Sequence, residues 1–290
     1  MSDEKIDKIV QEYYDNNIGR REFTRLLTLA TGSLSAAVST AKGLGFDLLS
    51  DGQVPANDPD LETQSITYPS KSNNGGAALE VKAYIAKPKQ NGNGKGVIVI
   101  HENRGLNDHI KDVARRLAKK GYTALAPDML YADGGTDKFE TQDQAVAAIR
   151  KLDMKQVESD LVAAATYLKS QKSTKVGCVG FCWGGAQSFN LACNSNDISA
   201  AVVYYGRCPK ADKIKNMQGA LLGNFAEVDA GVDASLPEAE AALKEHKKTY
   251  EFHKYKAKHA FNNDTSPRYD QKAAEQAWTR TLNWFETHLK

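Results

Sequence analysis

The chain has 290 residues, 41% of them apolar, and a formal net charge of +2, which suits one large α/β domain or two small ones. The near-neutral balance, with no Lys/Arg stripe interleaved with aromatics, argues against a nucleic-acid partner. The four cysteines, Cys178, Cys182, Cys193 and Cys208, show no CxxC, CxxH or HxxxH spacing, which argues against a zinc site and against a disulfide scaffold.

Residues 1–59 read as a helical N-terminal arm and a linker. Arg20-Arg21 stands ahead of an uncharged stretch, Leu26 to Ala41, that ends in the small residues Ser39-Thr40-Ala41. This resembles a twin-arginine export signal. The other reading is an amphipathic helix-turn-helix arm, favoured by the acidic residues Asp3, Glu4, Glu12 and Asp15 where an export signal is basic. The location is periplasmic if the Arg20-Arg21 segment works as a signal and cytoplasmic otherwise. The stretch is too short and too rich in small polar residues for a stable membrane span. Asp47 to Pro59, rich in Pro, Asp, Gly and Asn, reads as the linker.

Residues 60–290 read as one α/β domain. Gln64–Tyr68 and Leu79–Ala86 alternate like strands around the turn cluster Asn73-Asn74-Gly75-Gly76, which predicts a hairpin. Val97-Ile98-Val99-Ile100 is a strand buried on both faces. A helix follows with Ile110, Val113, Ala114 and Leu117 on one face, then a strand at Tyr122–Ala126 and a helix at Lys155–Leu168. Strands at 176–179, 200–205, 220–225 and 250–255 alternate with helices from Gly184, at 237–247 and at 270–289. Alternation of this kind implies a mostly parallel central sheet flanked by helices, and such sheets bind ligands beyond the carboxyl ends of their strands.

One of those ends carries Gly180-Phe181-Cys182-Trp183-Gly184. G-x-C-x-G between a strand and a helix is the nucleophile-elbow pattern with sulfur in place of oxygen. The turn is so tight that the residues two positions to either side must lack side chains, and the helix amides beyond it can lower a thiol's pKa and receive an oxyanion. Cys178, Cys193 and Cys208 fit structural roles. In this fold the acid and then the histidine follow the nucleophile along the chain. Asp229 is the candidate acid, with Glu227 and Asp233 as rivals, and His259 the candidate histidine. His253 falls inside a strand, and His109, His246 and His288 read as surface helix residues. Glu102 lies just past the first buried strand.

The segments HENRGLNDHIKDVARRLAKKGYTALAPDMLY, GFCWGG, YYGR, FAEVDAGVD and KHAFNND resemble, in order and spacing, the dienelactone hydrolase (carboxymethylenebutenolidase) family of α/β-hydrolases. The resemblance covers roughly residues 60–290. It implies an α/β-hydrolase fold and a hydrolase, free of cofactors, that cleaves a small-molecule ester or lactone. It further implies a triad of Cys182, His259 and Asp229, a thiol held beside Glu102, and an oxyanion hole from the amides of Asn103 and Trp183. Arg104, Tyr131 and Arg207 are candidates for substrate contacts. Ala260 stands where glycine is frequent. The alternative is a non-catalytic binding or thiol redox-sensing protein on the same scaffold.

Overall fold

The computed structural model describes residues 3–14, 18, 20–43 and 53–290. Three helices come first: α1 (Asp3–Tyr14), α2 (Arg20–Thr31) and α3 (Leu34–Gly43). Phe23, Leu27 and Ala30 recur at the spacing of one helix face and meet Ile9 and Tyr13 from α1 and Ala37 and Ala41 from α3 in a small core of their own. The Tyr13 ring stacks on Phe23 at 4.2 Å, and its hydroxyl donates to the Thr265 carbonyl, tying the arm to a loop of the main body. The side chains of Arg20 and Arg21, on which the export reading turns, lie outside the described residues, as does the linker up to residue 52. No described helix is long and apolar enough to cross a membrane.

The rest is built on one eight-stranded sheet. β1 (Leu61–Ser70) and β2 (Leu79–Pro88) make the expected antiparallel hairpin, with Ser70 opposite Leu79. Then come β3 (Lys95–Ile100), β4 (Thr123–Pro127), β5 (Lys175–Phe181), β6 (Ile198–Tyr204), β7 (Ala220–Val228) and β8 (Tyr250–Lys258). The order across the sheet is β1-β2-β4-β3-β5-β6-β7-β8, parallel from β4 onward. The connections carry α4 (Asp108–Ala118), α5 (Gln142–Ile149), α6 (Met154–Ser170), α7 (Trp183–Asn194), the short α8 (Ala211–Ile214) and α9 (Ala230–Asp233), α10 (Leu236–Glu245) and α11 (Gln271–His288).

Burial on both faces explains the unbroken apolar run of β3. Val97 and Val99 join the core that includes Val113 and Leu117 of α4 and Phe285 of α11. Ile98 and Ile100 join the opposite core, with Leu161 of α6 and Phe189 of α7. At β3 the strand order reverses, with β4 on one side and β5 on the other. A crevice for a ligand opens at such a switch point, above the strands' carboxyl ends.

One expectation is corrected. His109 does not lie on a surface face of α4: it is buried, and its Nδ1 meets Asp264 at 3.1 Å. The loop after β8 packs over this helix and brings Asp264 between His109 and Arg116, which also binds Asp112. Burial alone would raise the Asp264 carboxyl, but the His109 and Arg116 partners outweigh it and hold the group well below the usual carboxylate range. The helix α5 has a capping box formed by Thr141 and Gln144, a T-x-x-Q signal present in the sequence that marks a helix start.

Candidate active site

Cys182 sits between β5 and α7 with φ +54°, a left-handed backbone conformation uncommon outside glycine. Its amide donates to the Tyr204 carbonyl at 3.0 Å, and its own carbonyl accepts from the Ala186 amide at 3.2 Å. The two flanking glycines make room for this turn. A Cβ on Gly184 would fall 2.3 Å from the His101 oxygen, so the loop after β3 lies directly against the start of α7. Trp183 is the first residue of that helix, and a first-turn amide has no acceptor within its helix.

Cys182 is partly exposed, whereas Cys178 and Cys193 are buried. Burial pushes the thiols of Cys178, Cys193 and Cys208 up to about 12, leaving them poor nucleophiles near neutrality.

His259 follows β8 and Asp229 follows β7, each one residue past the strand end. The two meet with Nδ1 2.6 Å from Oδ2. The ring also feels the Cys182 side chain, at the elbow. Burial works against a charged ring here. The Asp229 and Cys182 contacts overcome it and raise His259 to about 10. The rivals for the acid position are engaged elsewhere: Glu227 is exposed on β7, and Asp233 binds the Lys254 ammonium at 2.6 Å.

Glu102 is buried, with Oε2 accepting from the Asn263 side-chain amide at 2.9 Å. Its Oε1 has no hydrogen-bond partner among the described residues. Asn103, next along, is partly buried. The orientation of the Asn103 amide is set by a residue that the sequence did not single out. His101 accepts the Met129 amide on Nε2 at 3.2 Å, so its proton lies on Nδ1, which donates to the Glu102 carbonyl at 2.6 Å. A trans peptide points its N–H opposite to its carbonyl, so the amide of Asn103 faces away from the His101 ring. Burial lowers the pKa of His101, consistent with that neutral tautomer. Its ring stacks on Trp183 at 5.4 Å, joining the two loops that carry the amides.

The three weaker candidates divide. Arg104 is partly buried in the same loop as Glu102, and Arg207 is exposed after Gly206, whose backbone packs on Gly185 and Ala186. Tyr131 feels the Asp160 carboxylate on α6. Asn263 and Tyr205 were not singled out either. Tyr205 is fully buried, its ring 5.0 Å from that of His259. A buried tyrosine after an apolar strand gives no sequence signal that separates it from core.

Comparison with known proteins bears on the family and the fold. The family described as "Dienelactone hydrolase family" matches residues 81–289. Two relatives bear the name "Putative carboxymethylenebutenolidase". That of Methylorubrum extorquens is 33% identical over 224 residues, covering 72% of this chain and 77% of its own. That of Saccharolobus solfataricus is 34% identical over 243 residues, covering 71% and 93%. A solved structure, titled a putative dienelactone hydrolase from Klebsiella pneumoniae, superposes with a TM-score of 0.70 at 28% identity, over 78% of this chain and 98% of that one. The chain belongs to the dienelactone hydrolase family, and it is a hydrolase on the α/β-hydrolase fold.

Proposed function

We propose that the chain hydrolyses a small carboxylic ester or lactone with Cys182 as nucleophile, His259 as its base and Asp229 as the group that orients the histidine. The observation that carries this reading is one imidazole bonded to Asp229 at 2.6 Å and influenced by the side chain of Cys182. Nucleophile, base and orienter in line are what covalent acyl transfer needs.

Cys182 reacts as the thiolate paired with protonated His259, and the sulfur attacks the carbonyl carbon. The carbonyl electrons move onto oxygen, which receives hydrogen bonds from the amides of Trp183 and Asn103. Losing one such donor costs about 100- to 1000-fold in rate. As the tetrahedral adduct collapses, the C–O bond breaks and His259 protonates the departing alkoxide, leaving a thioester on Cys182. His259 then takes a proton from water, whose oxygen attacks the thioester, and keeps it as the acid departs from the thiolate. Arg104 and Arg207 stand closest in sequence to the site loops as cations for an acidic substrate.

The test is turnover of p-nitrophenyl acetate by the wild type and by Cys182→Ala, with mass spectrometry of the quenched wild type for an acetyl group on Cys182. We expect turnover only in the wild type, and the acetyl group on that residue. Equal turnover in both would remove Cys182 as nucleophile.

A further inference from the structure

The turn that carries Asn103 is held at both ends by one neighbouring loop, residues 128–136, which follows β4. At one end His101 takes the Met129 amide on Nε2. At the other the Leu106 amide donates to the Thr136 hydroxyl oxygen at 2.8 Å. Gly105 lies so close that a Cβ there would fall 2.2 Å from the same oxygen. Between these points the Gly105 amide reaches the Glu102 carbonyl at 3.4 Å, closing the turn across Asn103 and Arg104.

Loop 128–136 takes its shape from one buried side chain, that of Asp128. Its Oδ1 accepts the Leu130 amide at 3.0 Å and the Thr136 hydroxyl at 2.7 Å, and its Oδ2 accepts the Thr136 amide at 2.7 Å. The Asp128 amide donates to the Lys82 carbonyl of β2 at 2.8 Å, so the loop starts from the sheet. A carboxylate only accepts. The Thr136 hydroxyl therefore gives its proton to Asp128 and keeps a lone pair for the Leu106 amide. A carboxamide could not replace this group: its nitrogen would face the Leu130 amide on one side or the Thr136 amide on the other, donor against donor. The loop also reaches the elbow. Trp183 packs against the cluster of Leu130, Ala145 and Ile149, so loop 128–136 meets both the turn that carries Asn103 and the helix start that carries Trp183.

We propose that Asp128 and Thr136 are positioning residues for acyl transfer: through the Leu106 amide and His101 they set where the Asn103 amide stands relative to that of Trp183, and so the fit of the oxyanion. This rests on Cys182 as the nucleophile and on those two amides as the donors.

The test compares two reactions of the same sulfur in Thr136→Val, which keeps the shape of the side chain and loses its hydroxyl. Ester hydrolysis places negative charge on a carbonyl oxygen. Alkylation by iodoacetamide does not: the sulfur bonds to the methylene carbon, the C–I bond breaks and the charge leaves as iodide. In Thr136→Val, kcat and kcat/KM for p-nitrophenyl acetate should fall together by about 10- to 100-fold, as when a group in the reacting geometry is slightly misplaced. KM should stay as it was, and Cys182 alkylation, read by peptide mass, should keep its wild-type rate. Thr136→Ser, which retains the hydroxyl, should retain the turnover. Wild-type turnover in Thr136→Val, or an equal fall in both reactions, overturns the proposal. Should that variant not fold, Thr136→Ala is judged by the same two rates. Ester turnover that survives in Cys182→Ala would instead remove the nucleophile, a result distinct from either.

Discussion

A Cβ placed on Gly180 would lie 1.9 Å from the carbonyl oxygen of Gly184 and 2.9 Å from the amide nitrogen of Gly185. These are backbone atoms of the first turn of α7, so no side-chain rotation relieves the clash. Gly180→Ala must move the helix or the strand end, and the amide of Trp183 moves with the helix. We expect Gly180→Ala to lose at least about 3 kcal/mol of stability, in the upper range for a single substitution, and about 100-fold in turnover through the displaced oxyanion donor. Urea unfolding and p-nitrophenyl acetate kinetics check both. Near-wild-type stability would mean that the elbow is looser than these contacts show.

The His259–Asp229 pair sets a pH dependence whose sign can be worked out. An unfolded histidine titrates near 6.5, and in the folded chain His259 is raised to about 10. Between those values the folded state holds a proton that the unfolded state has released. The stabilisation is therefore complete below pH 6.5 and is lost as pH rises through about 10. Asp229→Asn removes the strongest contribution raising the ring, so the decline in stability across this window should flatten, and the His259 NMR titration should move toward neutrality. Turnover should fall about 10³- to 10⁴-fold, as expected when the orienting acid becomes an amide. An unchanged titration of His259 would break the link between these two residues.

The sheet was legible because its strands are buried on both faces, and the motifs that follow them fall at strand ends. The elbow was legible for a steric reason, since G-x-C-x-G has little use except where backbones nearly touch. The candidate acid was less so. Asp229, Glu227 and Asp233 differ by only a few positions, and what separates them is that Asp233 meets Lys254 and Glu227 faces solvent, neither of which spacing reveals. His109 misled because the charged residues around it on α4 suggest an exposed face. The helix is in fact covered by a loop more than 150 residues later in the chain, with Asp264 as the counterion. Asn263 and Tyr205 lacked any signal, since their significance lies in which polar atoms of other segments they meet.

The residue after the histidine gives a prediction in the stabilising direction. Ala260 has φ +69°, which costs an L side chain about 1–2 kcal/mol and explains why glycine suits this position. Glycine loses about 0.5–1 kcal/mol more on folding through entropy, so Ala260→Gly should stabilise the fold by up to about 1.5 kcal/mol. The loop it anchors, with the Asn263 amide bonded to the Ala260 carbonyl at 3.0 Å, should keep its shape and the activity should persist. A thermal melt decides the sign, and a clear loss of stability would show that the Ala260 methyl group makes contacts outweighing the strain.

Arg116 joins the α4 carboxylate of Asp112 to Asp264, in the loop that follows His259, with all three side chains largely buried. The Asp112 carboxylate also accepts the amides of Gln53 and Val54, at 3.1 and 2.8 Å, so the linker, the helix and the site loop share one cation. Arg116→Leu keeps much of the apolar bulk but leaves Asp112 to Arg115, 3.8 Å away, and Asp264 to His109, so the loss should stay below about 3–5 kcal/mol, the cost of a buried charge left with no partner. Asp264 is held well below the usual carboxylate range, so in the wild type its contribution is present above about pH 4 and is lost as pH falls below it. In Arg116→Leu that acid dependence should shrink, because one of the two cations that depress Asp264 is gone. Replacing Asp264 as well, with Asn, should recover part of the lost stability by removing a buried charge left with His109 alone. A double variant less stable than Arg116→Leu alone would show that Asp264 serves the fold through His109 and not through this network.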